Sequence, residues 1–257
     1  MSNLAEADRL FFERAGLERG RIERIVTDSL KGADDGELYL EYAQSEALGF
    51  DDGRLKSASF DTTQGFGLRA IAGETAGYAH ASELSEPAIR RAAATVKAVA
   101  AGQGGTLALP PGGTNRSLYT GENPLGAVEF AAKVKLLADI DAYARGKDPR
   151  VRQVMASLSG SWQAVQILRP DGHRVGDIRP LVRLNVSVMV GEGDRQESGS
   201  HGTGGRDDRA ARTGLARHPA ARGDRPWPRG RLQPQADLGL RRADGPAGRL
   251  ARRHGGR

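Results

Sequence analysis

The sequence predicts an α+β fold, a largely antiparallel sheet with helices packed on one face. Three observations carry this. Helical spacing gives way to runs of alternating residues twice, over residues 3–82 and again over 85–200, an order that segregates helices from a meander of strands. Short turn signals, Asp51-Asp52-Gly53 and Gly73, join extended runs and favour antiparallel neighbours. Residues 181–190 hold the cleanest period of two, with Val182, Leu184, Val186, Val188 and Val190 alternating with Leu181, Arg183, Asn185, Ser187 and Met189. The repeated order suggests an internal duplication, although no residue-level repeat accompanies it.

Taken in order, Leu4, Ala7, Leu10, Phe11 and Ala15 share one face of a helix over residues 3–16, closed by Gly16. A second helix over 18–30 turns Ile22, Ile25, Val26 and Leu30 inward, with Gly32 past its end. The loop 32–37 leads into a strand where Leu38, Leu40 and Tyr42 alternate with Tyr39, Glu41 and Ala43. Ser57, Ser59 and Asp61 alternate with Ala58, Phe60 and Thr62, as in a strand with one wet face. Residues 65–71 form the next strand, with glycines that permit a bulge or a close approach, and 75–81 return after Gly73. Ser85 caps a helix with Pro87 in its first turn and Ile89, Ala93 and Val96 on its apolar stripe. A glycine/proline linker at 101–117 follows, and then a helix over 125–145 with Val128, Ala132, Leu136 and Ile140 inward. The remaining strands fall at 150–159, 162–169, 175–177 and 181–190.

The chain of 257 residues is long enough for one or two domains with a sizeable core. The net charge of +6 is unevenly placed. Residues 206–257 hold 14 Arg, no Lys and 5 Asp, so the remainder is mildly acidic and the basic character belongs to the tail. There is no cysteine, which excludes disulfide and thiolate chemistry. The N-terminal stretch is acidic and lacks an apolar core, and no run approaches a membrane span, so a cytoplasmic location with no membrane contact is expected.

The chemistry-bearing residues are sparse. His80, His173, His201, His218 and His254 show no pairing at i+3 to i+5, and none precedes a glutamate, so no zincin-type helix is present. His80 reads as a half-buried strand residue, His173 as part of an exposed Asp171-Gly172-His173 turn, and His201 as a residue of a glycine loop. Ser157, Ser159 and Ser161 surround Gly160 without forming a nucleophile elbow. Residues 199–205 are glycine-rich but lack the lysine and helix of a phosphate loop, and read as a flexible hairpin end. Asp194, Arg195 and Glu197 read as a solvated charge cluster, and Arg222-Gly223-Asp224 as a coincidence. No catalytic, cofactor-binding or metal-ligating residue is assigned.

From Arg206 onward the composition changes. Residues 206–257 are rich in Arg, Gly, Ala and Pro and contain no Ile, Val, Phe, Tyr, Met, Lys, Glu, Ser or Asn. Such a segment buries too little apolar surface to offset chain entropy and is expected to be disordered. The missing residues include most of those with AT-rich codons, which points to a GC-rich gene read out of frame after about Gly205, the alternative being a genuine basic tail. Nucleic-acid binding through these arginines and Trp227 has weak support, since the segment has no helical pattern and one aromatic residue.

Several blocks in order resemble the TldD/PmbA metalloprotease family, also called modulators of DNA gyrase. They are GELYLEY from Gly36, QGFGLRAIAGETAGYAHAS from Gln64, SLYTGENPL from Ser117, VRQVMASLSGSW from Val151, DIRPLVRLNVSVMV from Asp177 and RQESGSHGTGGR from Arg195. The fifth points to the TldD-type subunit. The resemblance implies an N-terminal domain over residues 1–205 followed by the tail at 206–257. It implies that the parent protein is a zinc-dependent peptidase that pairs with a PmbA/TldE-type subunit and cleaves unfolded or extended peptides. The family's metal motif, H-E-x-x-x-H, belongs to its C-terminal half, and no position here matches it. The resemblance therefore implies that this chain holds no zinc and is inactive alone, with subunit pairing or peptide docking as the alternative role.

Overall fold

In the computed structural model, residues 2–100 and 120–206 are described, without the side chains of residues 99 and 100. The linker expected at 101–117 and the tail expected at 206–257, apart from Arg206, lie outside the described residues. The elements run α1 (Asn3–Asp8), a π-helical turn (Arg9–Glu13), α2 (Arg19–Ser29), β1 (Asp35–Asp51), β2 (Arg54–Ala72), β3 (Thr75–Ala81), α3 (Glu86–Ala100), α4 (Phe130–Arg145), β4 (Val151–Leu168), β5 (Arg174–Glu192) and β6 (Arg195–Gly205).

The six strands form one sheet in the order β3-β2-β1-β4-β5-β6, and every neighbouring pair is antiparallel. Two three-stranded meanders, β1-β2-β3 and β4-β5-β6, therefore meet at a β1–β4 seam. Read outward from the seam, the two meanders have the same strand order, which is the order the repeated pattern in the sequence suggested.

The α+β class and the largely antiparallel sheet are as expected, but the strand count is corrected. The expected strands 57–62 and 65–71 are one strand, as are 150–159 with 162–169, and 175–177 with 181–190. Of the two roles expected for the glycines of 65–71, Gly65 shows the close approach, since a Cβ there would meet the Ala81 carbonyl oxygen at 2.8 Å; Gly160, between two expected strands, is another, where a Cβ would meet Leu125 Cδ2 at 2.6 Å. Residues 195–205, expected as a charge cluster and a flexible loop, form β6, paired in register with β5 from Glu192↔Arg195 to Val182↔Gly205. The first helix is also not uniform. The Arg14 N–H donates to the Arg9 carbonyl and that of Leu17 to Phe12, a wider turn that lets the consecutive Leu10, Phe11 and Phe12 all be buried. The helix expected at 125–145 begins at Phe130.

Alternation decides the faces. Leu38, Leu40, Tyr42, Leu48 and Phe50 of β1 are buried on the face shared by Phe66 and Leu68 of β2 and Leu158, Trp162, Ala164 and Leu168 of β4. Among the described residues the helices pack on this face only, in two clusters. At one end α1, the π turn, α2 and α3 bring Ala7, Phe11, Ile22, Ile25, Ile89 and Val96 against Leu38, Leu40, Leu68 and Leu168. At the other end α4 brings Leu137 and Ile140 against Leu48, Phe50, Leu158 and Leu184. Between them lies a polar strip. Lys133 Nζ on α4, with a side chain only 8% exposed, donates to Glu46 Oε2 of β1 at 2.5 Å and to the Leu125 carbonyl at 2.6 Å. Asn123 Nδ2 donates to Gln44 Oε1 at 2.7 Å. A buried ion pair with a third polar partner is costly to break from one side, so this strip fixes residues 123–133 over the seam.

Candidate functional site

The opposite face of the sheet carries no helix among the described residues, and the sequence makes it suitable for contact. Its rows follow from register. Ser57, Gly49, Ser157, Asn185 and Gly202 lie side by side across β2, β1, β4, β5 and β6. The neighbouring row joins Ser59, Ala47, Ser159, Arg183 and Gly204. Small side chains there leave a shallow depression of about 530 Å³, lined by Lys56, Met155, Ser157, Arg183, Asn185 and Ser200 among others. Arg183 Nε donates to Asn185 Oδ1 at 2.9 Å, and a Cβ on Gly202 would meet that same Oδ1 at 2.8 Å, so glycine in β6 lets the amide lie flat.

The end of this face nearer Asp35 is charged and aromatic. Asp35 accepts from Arg169 at 2.8 Å and from Arg69 at 3.3 Å, and Arg69 also reaches Glu37 at 3.3 Å. Tyr39 donates to Glu41 Oε2 at 2.6 Å. Burial, and then that hydrogen bond, push its hydroxyl up to about 12, so Tyr39 is a fixed donor at neutral pH. Tyr78 is exposed and stacks on His80 with centroids 5.5 Å apart, lying over Gly67, where a Cβ would meet its hydroxyl at 2.6 Å.

A second feature is the outer edge of β2. β1 pairs with β2 along the whole strand, but β3 pairs only from Phe66 to Ala72. Among the described residues nothing pairs with the outer edge over 54–65, a span of about 40 Å at strand rise. Residues 56–64 are exposed on both faces, which corrects the expectation of one wet face and one buried one. Phe60 is 57% exposed. Such an edge is a template for further strand pairing.

Among the described residues the histidines His80, His173 and His201 are not brought together, and His218 and His254 lie outside those residues. His80 is exposed on β3, which corrects the half-buried expectation; His173 is exposed at the β4–β5 turn, as expected; His201 is exposed on β6, opposite Val186, and not in a loop. Among the described residues no three His, Cys, Asp or Glu side chains could hold a metal ion, so the donor set a metal would need does not fit here. Ser157, Ser159 and Ser161 face Asn185, Arg183 and Leu181 on β5, with no histidine adjacent in register to act as base. Arg195 and Glu197 form an ion pair beside the β5–β6 turn, in keeping with a solvated cluster. The free β2 edge and the depression were missed in the sequence. The period-two run with no bulky apolar residue except Phe60 was the only available sign. The arrangement suits recognition of another chain, and no residues among those described are placed for bond cleavage. No helix among them is long and apolar enough to cross a membrane.

Comparison with known proteins gives a consistent result. Residues 36–100 match the model of PmbA/TldA metallopeptidase domain 1, and 123–218 match that of the PmbA/TldA metallopeptidase central domain. A metalloprotease TldD homolog from Haemophilus influenzae is 38% identical over 182 residues, covering 69% of this chain and 38% of that protein. The chain thus spans well under half the length of this curated relative. Two solved structures share the fold: TldE from Thermococcus kodakarensis, with TM-score 0.57 and 17% identity over 77% of this chain and 46% of that one; and a protein described as a modulator of DNA gyrase from Bacteroides thetaiotaomicron, with TM-score 0.57 and 16% identity over 73% of this chain and 45% of that one.

Proposed function

This chain belongs to the PmbA/TldD metallopeptidase family, as its N-terminal region, and we propose that it is the N-terminal portion of a TldD-type zinc metallopeptidase subunit. With a TldE/PmbA-type partner, the intact subunit would cleave unfolded or extended peptides in the cytoplasm. The observation that carries this reading is the order of the matches, domain 1 and then the central domain, within a stretch covering 38% of a TldD homolog. A metalloprotease family implies a metal in the intact protein. The zinc motif that the family resemblance implies for the intact subunit is not matched at any position here, since no His in this sequence precedes a Glu. The expected result is that the purified 257-residue chain binds no stoichiometric zinc and leaves an unfolded casein substrate intact. Tight zinc binding by this chain, or chelator-sensitive cleavage, would overturn the reading.

A second reading is a non-catalytic module for subunit pairing or peptide docking. It is favoured by the free β2 edge and the helix-free sheet face, since an exposed edge accepts an extended segment through main-chain hydrogen bonds. Co-purification with a TldE/PmbA-type subunit tests it, and failure to form any complex would remove its support.

A further inference from the structure

We propose that the free edge of β2 is a self-complementary pairing surface, joining two copies of this chain edge to edge as antiparallel strands about a two-fold at Ser59. The register follows from the faces. A β-bulge sets Lys56 between Ser57, opposite Gly49, and Leu55, opposite Phe50. Leu55 packs with the α4 cluster, whereas Lys56 lines the depression on the helix-free face. Asp61, opposite Ser45, lies on that same face. With Ser59 facing its counterpart, Asp61 of one copy stands opposite Ser57 of the other, next along the strand to Lys56 on the same face, within reach of a lysine side chain. The two-fold generates this ion pair twice. Neither Lys56 nor Asp61 has an ion-pair partner among the described residues of its own chain.

The other face of the strand is also complementary. Phe60, opposite Glu46 and exposed, stands against Ala58 of the second copy, a large ring beside a small side chain that leaves it room. Both copies would bury the phenylalanine and satisfy outward main-chain groups, and the joined sheet would be ten strands wide across the junction, from one β6 to the other, about the usual limit for a twisted open sheet. A lysine and a bulge on an edge can instead serve to discourage pairing. The matching Asp61 favours a contact, and the two roles give opposite results when the charge is changed.

The test is sedimentation velocity on the 257-residue chain across a concentration series, with circular dichroism on each variant. The wild-type chain is expected to dimerise. Lys56→Asp and Asp61→Lys should each weaken the dimer on the order of tenfold, because like charges then face each other across the two-fold. An equimolar mixture of the two variants should restore dimer, since each mixed pair places opposite charges together. A restored dimer also shows that neither variant lost affinity by misfolding. A chain monomeric at every concentration, a dimer indifferent to both substitutions, or one strengthened by Lys56→Asp would each overturn the proposal.

Discussion

β2 is paired with β1 along its whole length, yet its two halves have opposite environments. From Phe66 to Ala72 it is flanked by β3 and covered by α3, and Phe66, Leu68, Ala70 and Ala72 are buried. From residue 56 to 64 the same alternation continues through Ala58, Phe60 and Thr62, and every side chain is exposed. Backbone pairing is common to both, so it does not decide burial. What decides it is whether a helix and a neighbouring strand arrive. Only the half with bulky side chains at successive inward positions attracts them, because removal of apolar area from water drives the packing.

The sharpest way to break the contrast is beside the bare half, where Glu46 of β1 lies opposite Phe60 and holds Lys133. Lys133→Met leaves a carboxylate buried without its partner and should cost about 3–5 kcal/mol in urea unfolding. Pairing it with Glu46→Leu should recover most of the loss. Next comes the covered half: Leu68→Ala, at a position with no exposure, should destabilise by about 3 kcal/mol. The matched change in the bare half, Phe60→Ala, should stay within about 0.5 kcal/mol when unfolding is followed at monomer concentrations. If the two alanine variants lost equal stability, the division of β2 would be wrong.

A smaller effect concerns the covered end. Burial tends to raise the Asp8 carboxyl, but hydrogen bonds from Gln166 and Arg174 and the charges of Arg174 and Arg19 outweigh it and hold the group below its ordinary range. With the folded value lower than the unfolded one, the stabilisation is complete above the unfolded value of about 3.9 and is lost as pH falls through the folded value. Asp8→Asn should therefore flatten the acid limb of the urea midpoint against pH. An unchanged slope would mean that the Asp8 cluster adds nothing.

Much of the fold was legible because its signals are local. The helical stripes of Ile22, Ile25 and Val26 and of Ile89, Ala93 and Val96 do face the core, and the alternation from Leu181 to Val190 does lie in one strand. The errors came where a residue's meaning depends on distant chain. Gly65 permits a bulge or a close approach, and only Ala81, arriving from elsewhere, decides for the second; Gly160 falls between two expected strands because its reason, Leu125, is likewise distant. β6 has few apolar residues and is held by backbone pairing with β5, which composition cannot signal. The candidate surface was least legible, since an edge is defined by the missing partner of β2 and not by any property of Ser57 or Ser59.

The seam also has a kinetic side. Within each meander, strands are joined by tight connections such as that between Asp51 and Arg54, whereas Leu38 finds Leu168 only across most of the described chain. Short-range hairpins close in microseconds, while loop-closure entropy delays contacts roughly a hundred residues apart. The β1–β4 ladder therefore sets the folding time. Until it closes, both β1 and β4 are themselves open edges, and the nascent chain passes through a stage with twice as many sites for wrong pairing as the finished sheet.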